Sequence, residues 1–123
     1  MNGKVNLAEK LALLDAPYKP GVVGHINDYK LQIVKAKGPF VWHRHEETDD
    51  FFLVVSGSLT IHLRDDDGER HVELGPGELF VVPRGLEHCP ESAEGADLLL
   101  IEPDGTPNTG DAGGPMTAEP TAL

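Results

Sequence analysis

The chain has 123 residues, which fits one compact domain, and it carries a formal net charge of −11 at pH 7. Residues 1–44 hold seven of its ten Lys and Arg residues, whereas residues 45–123 hold eighteen of its 21 Asp and Glu residues. This charge balance excludes the clustered basic surface that nucleic acids need, and it disfavours an anionic membrane surface for the same reason.

The cysteine content and hydropathy indicate the compartment. The single cysteine, Cys89, excludes an intrachain disulfide, and it is predicted to be a small buried side chain. No apolar run approaches the roughly 18 residues that span a bilayer, and the N-terminus has no apolar stretch typical of a secretory signal. We therefore expect a soluble, cytoplasmic protein.

Residues 1–28 are predicted to form a short helix and a linker that pack on a larger domain. Asn6 is placed to cap the helix with Glu9 three residues later, and Pro17 ends it. Leucines at helical spacing share one face of this helix: Leu7, Leu11 and Leu14.

From residue 29 the hydrophobic pattern changes to a period of two. In YKLQIVKA (residues 29–36), Leu31 and Ile33 alternate with polar residues, which predicts a half-buried strand with the polar side chains outside. About eight such short segments, separated by turns rich in Gly and Pro, follow one another to residue 104. The pattern predicts an all-β, antiparallel domain over residues 29–104, either a sandwich, a barrel or a jelly roll.

The C-terminal segment, residues 105–123, differs in composition from the predicted strands. It is rich in Gly, Pro, Thr and Ala, and it has few side chains to bury. We expect a tail that is partly flexible.

Two histidines precede one of the apolar strands. His43 and His45 point to the same face of an extended chain, because side chains two residues apart share a face. If the strand resumes after a turn at EETD, Asp50, Phe52 and Val54 share one face as well. Asp49 is the alternative carboxylate, although alternation turns it away.

A third histidine, His88, follows the turn formed by Pro83, Arg84 and Gly85. Three imidazoles and one carboxylate together suit a single divalent transition metal: Fe, Mn, Ni, Zn, Co or Cu. The alternative is a set of exposed or core histidines that hold no metal.

These residues resemble the cupins, a family of small metal-binding barrels. The first cupin motif, G-x5-H-x-H-x3-4-E-x6-G, is matched by five residues, with one residue fewer after the first glycine: Gly38, His43, His45, Asp50 and Gly57. The second, G-x5-P-x-G-x2-H-x3-N, is matched by four residues at the family spacing: Gly77, Pro83, Gly85 and His88. The chain departs from the family in two places, since Asp50 replaces a glutamate and Ser92 replaces the final asparagine.

The resemblance covers roughly residues 30–102 and is nearest to small single-domain cupins of the mannose-6-phosphate-isomerase-like type. It implies a jelly-roll barrel and a metal held by His43, His45, Asp50 and His88, with Asp50 ligating directly or through a water. It also implies a homodimer. The substrate-binding candidates are Phe52 and Val54 on the pocket wall, joined by Phe40 and Val41, and His62, which is expected on the surface or at the pocket rim.

The function implied by the resemblance is that of a metal-dependent enzyme acting on a small organic molecule, with isomerase-like or dioxygenase-like chemistry. An alternative is a non-catalytic cupin that binds or senses a small molecule. A metal-free epimerase, with a histidine base and a tyrosine acid, is the least favoured hypothesis. Its only candidate acids, Tyr18 and Tyr29, both precede the first motif.

Overall fold

The computed structural model describes residues 3–123 and shows a β-structure that is antiparallel throughout except for one short terminal strand. The elements in chain order are α1 (Leu7–Leu11), β1 (Gly21–Ile26), β2 (Tyr29–Pro39), β3 (Asp50–Gly57), β4 (Leu59–Asp65), β5 (Gly68–Leu74), β6 (Leu79–Val82), β7 (Glu87–Pro103) and β8 (Thr121–Ala122). No helix within residues 3–123 is long and apolar enough to cross a membrane. The predicted all-β fold class is confirmed.

The long strand β7 joins the two halves of the sheet. Its first part pairs with β4 and its later part with β3, while most of its length pairs with β2 on the other side. The sheet then continues from β4 to β5, from β3 to β6 and from β2 to β1, and β8 adds in parallel to β1. The sheet therefore rolls up around one interior.

The main apolar core fills this interior with side chains from alternate strand positions. Its most deeply buried members, all no more than 2% exposed, are Val54, Leu59, Ile61, Leu63, Val82, Leu98 and Ala36. Burying an aliphatic side chain of this size contributes about 1.5–3 kcal/mol. Three members of this core, Val34, Phe52 and Leu98, also line a cavity together with polar side chains.

A second, smaller apolar cluster lies outside the sheet, beneath α1. Leu11 packs there with Val23 of β1 and Ile33 of β2, and Leu7 and Leu14 border the same cluster. The shared leucine face is therefore confirmed. The predicted cap is also confirmed, because the side chain of Asn6 accepts a 3.0 Å hydrogen bond from the backbone of Glu9.

The strand β2 differs from its prediction as a half-buried strand with its polar side chains outside. Leu31 and Ile33 face outward beneath α1, whereas Lys30 and Gln32 face the interior and are only 4% and 1% exposed. The prediction is wrong because α1 covers the outer face, so both faces of the strand are buried. The strand β1, which pairs with β2, also falls in the segment predicted to be a linker.

The C-terminal segment makes more contacts than its composition indicates. Thr109 is fully buried and its hydroxyl pairs with that of Thr117, while Met116 packs against the main core. Thr109 is the one fully buried residue of this segment, and the others are exposed or half-buried. The flexibility of this segment and the domain bounds 1–28, 29–104 and 105–123 stay predictions.

Candidate metal centre

His43 and His45 lie in the connection between β2 and β3. The backbone of His43 pairs with that of His88 through two hydrogen bonds of 2.9 and 2.8 Å. This isolated bridge holds the loop against the start of β7. It therefore brings together histidines that are 45 residues apart along the chain.

Asp50 is the first residue of β3, and its side chain faces the interior. Asp50 is 5% exposed, whereas the neighbouring Asp49 is exposed and accepts a 2.9 Å hydrogen bond from the backbone of Arg84. Alternation along the strand thus separates the two carboxylates, as the sequence predicts.

Four donor groups converge at this point. One potential ligand atom from each of His43, His45, Asp50 and His88 lies within 4.8 Å of the other three. The Asp50 Oδ2 atom is 3.0 Å from His88 Nε2 and 3.3 Å from His45 Nε2. All four residues are buried, with exposed fractions between 1% and 7%.

Two of the imidazoles are oriented by backbone carbonyl groups. His43 Nδ1 donates to the carbonyl of Val41 at 2.8 Å, and His88 Nδ1 donates to that of Leu86 at 2.9 Å. A carbonyl oxygen only accepts, so the proton of a neutral ring sits on Nδ1 and Nε2 keeps its lone pair. This second hydrogen bond is the arrangement that metal-binding histidines usually show.

The same geometry favours a cation at the centre. With the Nδ1 proton of His88 used on Leu86, a neutral His88 presents its Nε2 lone pair to the carboxylate of Asp50 across 3.0 Å. Two lone pairs at that distance repel, and a metal ion or a proton relieves the repulsion. Imidazole and carboxylate donors in this number suit a divalent transition metal, so the residues fit the ion that the sequence implies.

The protonation states of the cluster also suit metal binding. Burial and the neighbouring His88 lower the pKa of His43 to about 4, so this ring is neutral at neutral pH. Burial alone would raise the pKa of Asp50, but the imidazoles of His45 and His88, which donate to the carboxylate when they are protonated, outweigh it and lower the pKa to about 2. Burial is likewise outweighed at His45, where the hydrogen bond to Asp50 raises the pKa. A metal therefore competes with a proton at His45, whose raised pKa favours the protonated ring.

A small cavity lies beside the cluster and opens to solvent. Its volume is about 40 Å³. His43, His45 and Asp50 form one side of it. The rest of the lining is mostly apolar and includes Val34, Phe40, Phe52, Leu98 and Leu100.

The predicted substrate-binding residues lie in different places. Phe52 lines the cavity, whereas Val54 is fully buried in the main core and Val41 is half-buried outside the cavity lining. His62 lies on the outer face of β4, 2.7 Å from Glu91, beside Trp42. A rim position for His62 has no support in this geometry, because the sheet separates the outer face of β4 from the cavity.

The sequence reasoning missed several polar residues around the cavity. Gln32 and Glu102 line it, and Lys30 lies 3.6 Å from the Glu102 carboxylate. Burial and the nearby charge of Asp50 raise the pKa of Glu102 to about 7. The sequence signal for these residues is the alternation of Lys30 and Gln32 in YKLQIV, a pattern that is also typical of a solvent-facing strand surface.

Tyr18 also lines the cavity, although it precedes the first strand. Its ring stacks on Phe40 with 4.6 Å between centroids, and its hydroxyl donates a 2.6 Å hydrogen bond to the carbonyl of Gly38. Burial raises its pKa well above the usual range. Cys89 is buried at 6% exposure, in line with the predicted structural role.

The fold and the histidine–carboxylate cluster define a metal-binding jelly-roll protein. Residues 30–102 match the family model described as the Cupin domain. The chain therefore belongs to the cupin family, and the predicted resemblance is confirmed.

Solved structures and curated proteins agree with this assignment. A cupin-2 domain protein from Shewanella frigidimarina NCIMB 400 is 38% identical, with a TM-score of 0.76, over 80% of this chain and 93% of that one. A 3-hydroxyanthranilate 3,4-dioxygenase of Xanthomonas campestris pv. campestris is 28% identical over 69 residues, which make up 56% of this chain. The match spans only 39% of the dioxygenase.

A more distant structure shares the fold alone. Hydroquinone 1,2-dioxygenase from Sphingomonas sp. TTNP3, solved with 4-hydroxybenzoate bound, is 23% identical with a TM-score of 0.66. The likeness covers 80% of this chain and 73% of that chain.

Proposed function

We propose that this cupin is a metal-dependent enzyme that acts on a small, mostly apolar organic molecule by dioxygenase-like chemistry. The observation that carries the proposal is the buried cluster of three imidazoles and one carboxylate beside an apolar cavity. His43, His45 and His88 would hold the metal through nitrogen, and Asp50 would supply the oxygen ligand. Four protein ligands leave open positions on a six-coordinate ion.

The metal would supply Lewis-acid or one-electron redox chemistry that protein side chains lack. The chain's own residues would do the remaining work. The carbonyls of Val41 and Leu86 keep two imidazoles in the orientation that a metal needs. The apolar side of the cavity, including Phe52 and Leu98, would orient the substrate and exclude water.

The charge of the cavity favours a neutral molecule over a sugar phosphate. No Lys or Arg within residues 3–123 lines the cavity, and the nearby Lys30 is already paired with Glu102. A phosphate group needs cationic partners of this kind. The isomerase-like reaction on a phosphorylated sugar is therefore less favoured than oxygenase-type chemistry on an apolar compound.

The curated relative supports the same direction. The 3-hydroxyanthranilate 3,4-dioxygenase of Xanthomonas campestris matches this chain over 69 residues, although the chain spans only 39% of its length. The activity of the whole relative therefore comes to this chain only as a proposal. The epimerase hypothesis remains the least favoured, because the hydroxyl of Tyr18 is used on Gly38 and burial raises its pKa.

The first test of the proposal is the metal content of the purified protein. We expect about one Fe, Mn, Ni, Zn, Co or Cu ion per chain in the wild type, measured by elemental mass spectrometry. His43→Ala and His88→Ala should lose the ion, because each removes a buried nitrogen donor. His71→Ala, which changes an exposed histidine on β5, is the matched control and should keep it.

The outcomes separate the candidate functions. A wild type that takes up none of these metals on addition would contradict metal-dependent chemistry and leave the binding or sensing role. A metal-loaded protein should next be tested for oxygen uptake with small phenols and aminophenols. Metal binding without turnover of any of them would favour the non-catalytic alternative.

A further inference from the structure

Two of the residues that line the cavity, Gln32 and Glu102, form a polar group with the neighbouring Lys30. Gln32 and Lys30 lie on β2, and Glu102 lies near the end of β7, which pairs with β2 in this region. Gln32 Nε2 donates a 2.6 Å hydrogen bond to Glu102 Oε1, and Lys30 Nζ lies 3.6 Å from the same oxygen. All three residues are 1–4% exposed.

One atom in this group lacks a partner. Gln32 Oε1 is buried and has no hydrogen bond to any group in residues 3–123. Leaving a buried amide oxygen unpaired costs free energy, so such atoms usually mark a place where another molecule supplies a donor. Turning the amide over would make Oε1 face Glu102, which can donate to it only when protonated, below its pKa of about 7.

The other polar side chains of the lining, apart from the metal cluster, are already paired. The Tyr18 hydroxyl donates to the carbonyl of Gly38. Asn108 Nδ2 donates to the carbonyl of Met116, and Asn108 Oδ1 accepts from the backbone of Ala118. Outside the metal cluster, the lining groups that remain free to bond a ligand are therefore acceptors: Gln32 Oε1 and the Glu102 carboxylate.

We propose that Gln32 and Glu102 form a subsite that accepts hydrogen bonds from a hydroxyl or amino group of a small aromatic ligand. The inference rests on the proposed function, in that the ligand shares the cavity with the metal. Phe52, Leu98 and Leu100 would contact the ring, and Lys30 would keep the Glu102 charge balanced. Gln32 and Glu102 would thus determine specificity for ligands with a donor group.

The test compares phenol with toluene, which have similar shapes and differ in the hydrogen-bond donor. Dissociation constants would be measured by amide NMR titration at pH 8, above the pKa of about 7 for Glu102. Each probe would be titrated into metal-free and zinc-loaded protein. The readout is the ratio of the two dissociation constants. The two probes differ in hydration, but this difference is the same for every variant, so it drops out when the ratios of two variants are compared.

Gln32→Met removes the acceptor and nearly preserves the volume of the side chain. We expect it to lower the preference for phenol about tenfold, the loss typical of one buried hydrogen bond, while toluene binding is unchanged. Glu102→Gln is the second variant. It should also lower the preference for phenol, and it provides the test if Gln32→Met fails to fold. Glu91→Gln alters a carboxylate on the outer face of the sheet and should keep the wild-type ratio.

A ratio that is the same in the wild type and in both cavity variants would overturn the subsite. So would the failure of both probes to shift amides around the cavity. The two proposals fail separately: a protein that binds no zinc but shows the predicted ratios loses only the metal chemistry. A zinc-binding protein with unchanged ratios loses only the subsite.

Discussion

His43 and Asp50 affect stability in different pH ranges when the metal is absent. The folded-state pKa of His43 is about 4, below the value of 6.5 for a free histidine, so the unfolded chain binds a proton first as the pH falls. The free energy of unfolding should therefore drop between pH 6.5 and 4, by about 3 kcal/mol. Asp50, with a pKa of about 2, adds a further loss between pH 4 and 2.

This pH dependence is tested by urea unfolding of chelator-treated protein at several values between pH 7 and 4. His43→Gln should flatten the curve in this range, because it removes the group that the unfolded chain protonates. The raised pKa of His45 acts only above pH 6.5, where its contribution is lost as the pH rises. His71→Gln is the control, and equal slopes in the wild type and His43→Gln would contradict the assignment.

At the residue scale, the sequence was sufficient to predict that the four cluster residues lie together. It was insufficient to predict that their polar neighbours are buried. His43, His45, Asp50 and His88 were predictable because their chemistry is rare at strand positions and their spacing matches a motif. Gln32 resembles any solvent-facing residue of an alternating strand. Its burial depends on tertiary contacts that no local pattern contains.

At the scale of elements, the same limit applies to β2. Its alternation correctly predicts a strand. Which of its two faces points to the interior depends on α1, because the helix covers the apolar face from outside. The leucine face of α1 was visible in the sequence, and so was the strand. The packing of α1 on the outer face of β2 was not visible, because neither pattern indicates which face of the strand the helix covers.

The turn around Gly110 places the C-terminal segment against the metal centre. A Cβ atom at Gly110 would overlap the carbonyl oxygen of Arg44 and lie 3.1 Å from His43 Cδ2. Its φ of +53° also favours glycine. The backbone of Asp111 donates a 3.1 Å hydrogen bond to the carbonyl of Arg44. This bond also stabilises the close approach of Gly110 to Arg44.

We expect Gly110→Ala to destabilise the protein by about 1–3 kcal/mol more than Gly113→Ala, because only the first creates overlap with fixed backbone. Gly113 is the matched control, since its φ is +62° and a Cβ atom added there would have no neighbour within 4 Å. Urea unfolding of the two variants gives the difference. Equal losses would mean that the C-terminal segment moves aside without cost.

At the scale of the whole molecule, an apolar surface remains on the outside of β3, β6 and β7. This outer apolar face is formed by side chains that alternate with the buried ones, and its members are Phe51, Leu53, Leu79, Val81 and Ile101. Leu79 and Val81 are 54% and 42% exposed. Contiguous exposed apolar surface of this kind is typical of protein–protein interfaces.

We therefore predict that the protein is a homodimer that buries the outer apolar face. Light scattering should give twice the chain mass of 13.3 kDa, or about 26.6 kDa. Leu79→Glu should shift the mass to that of the monomer, because it places a charge in the interface. Leu13→Glu, at an exposed leucine after α1, should leave the dimer intact, and a wild-type mass of about 13.3 kDa would contradict the prediction.

The strand β7 has a consequence for how the chain can vary in length. His88 and Glu102 both face inward from this one strand. The number of residues between them therefore determines that both side chains point to the interior of the sheet. An insertion in the paired stretches would turn one of them outward. Residues 93–95, where Ala93 and Glu94 are exposed and the pairing with β2 is irregular, are the place where an insertion or deletion can be absorbed.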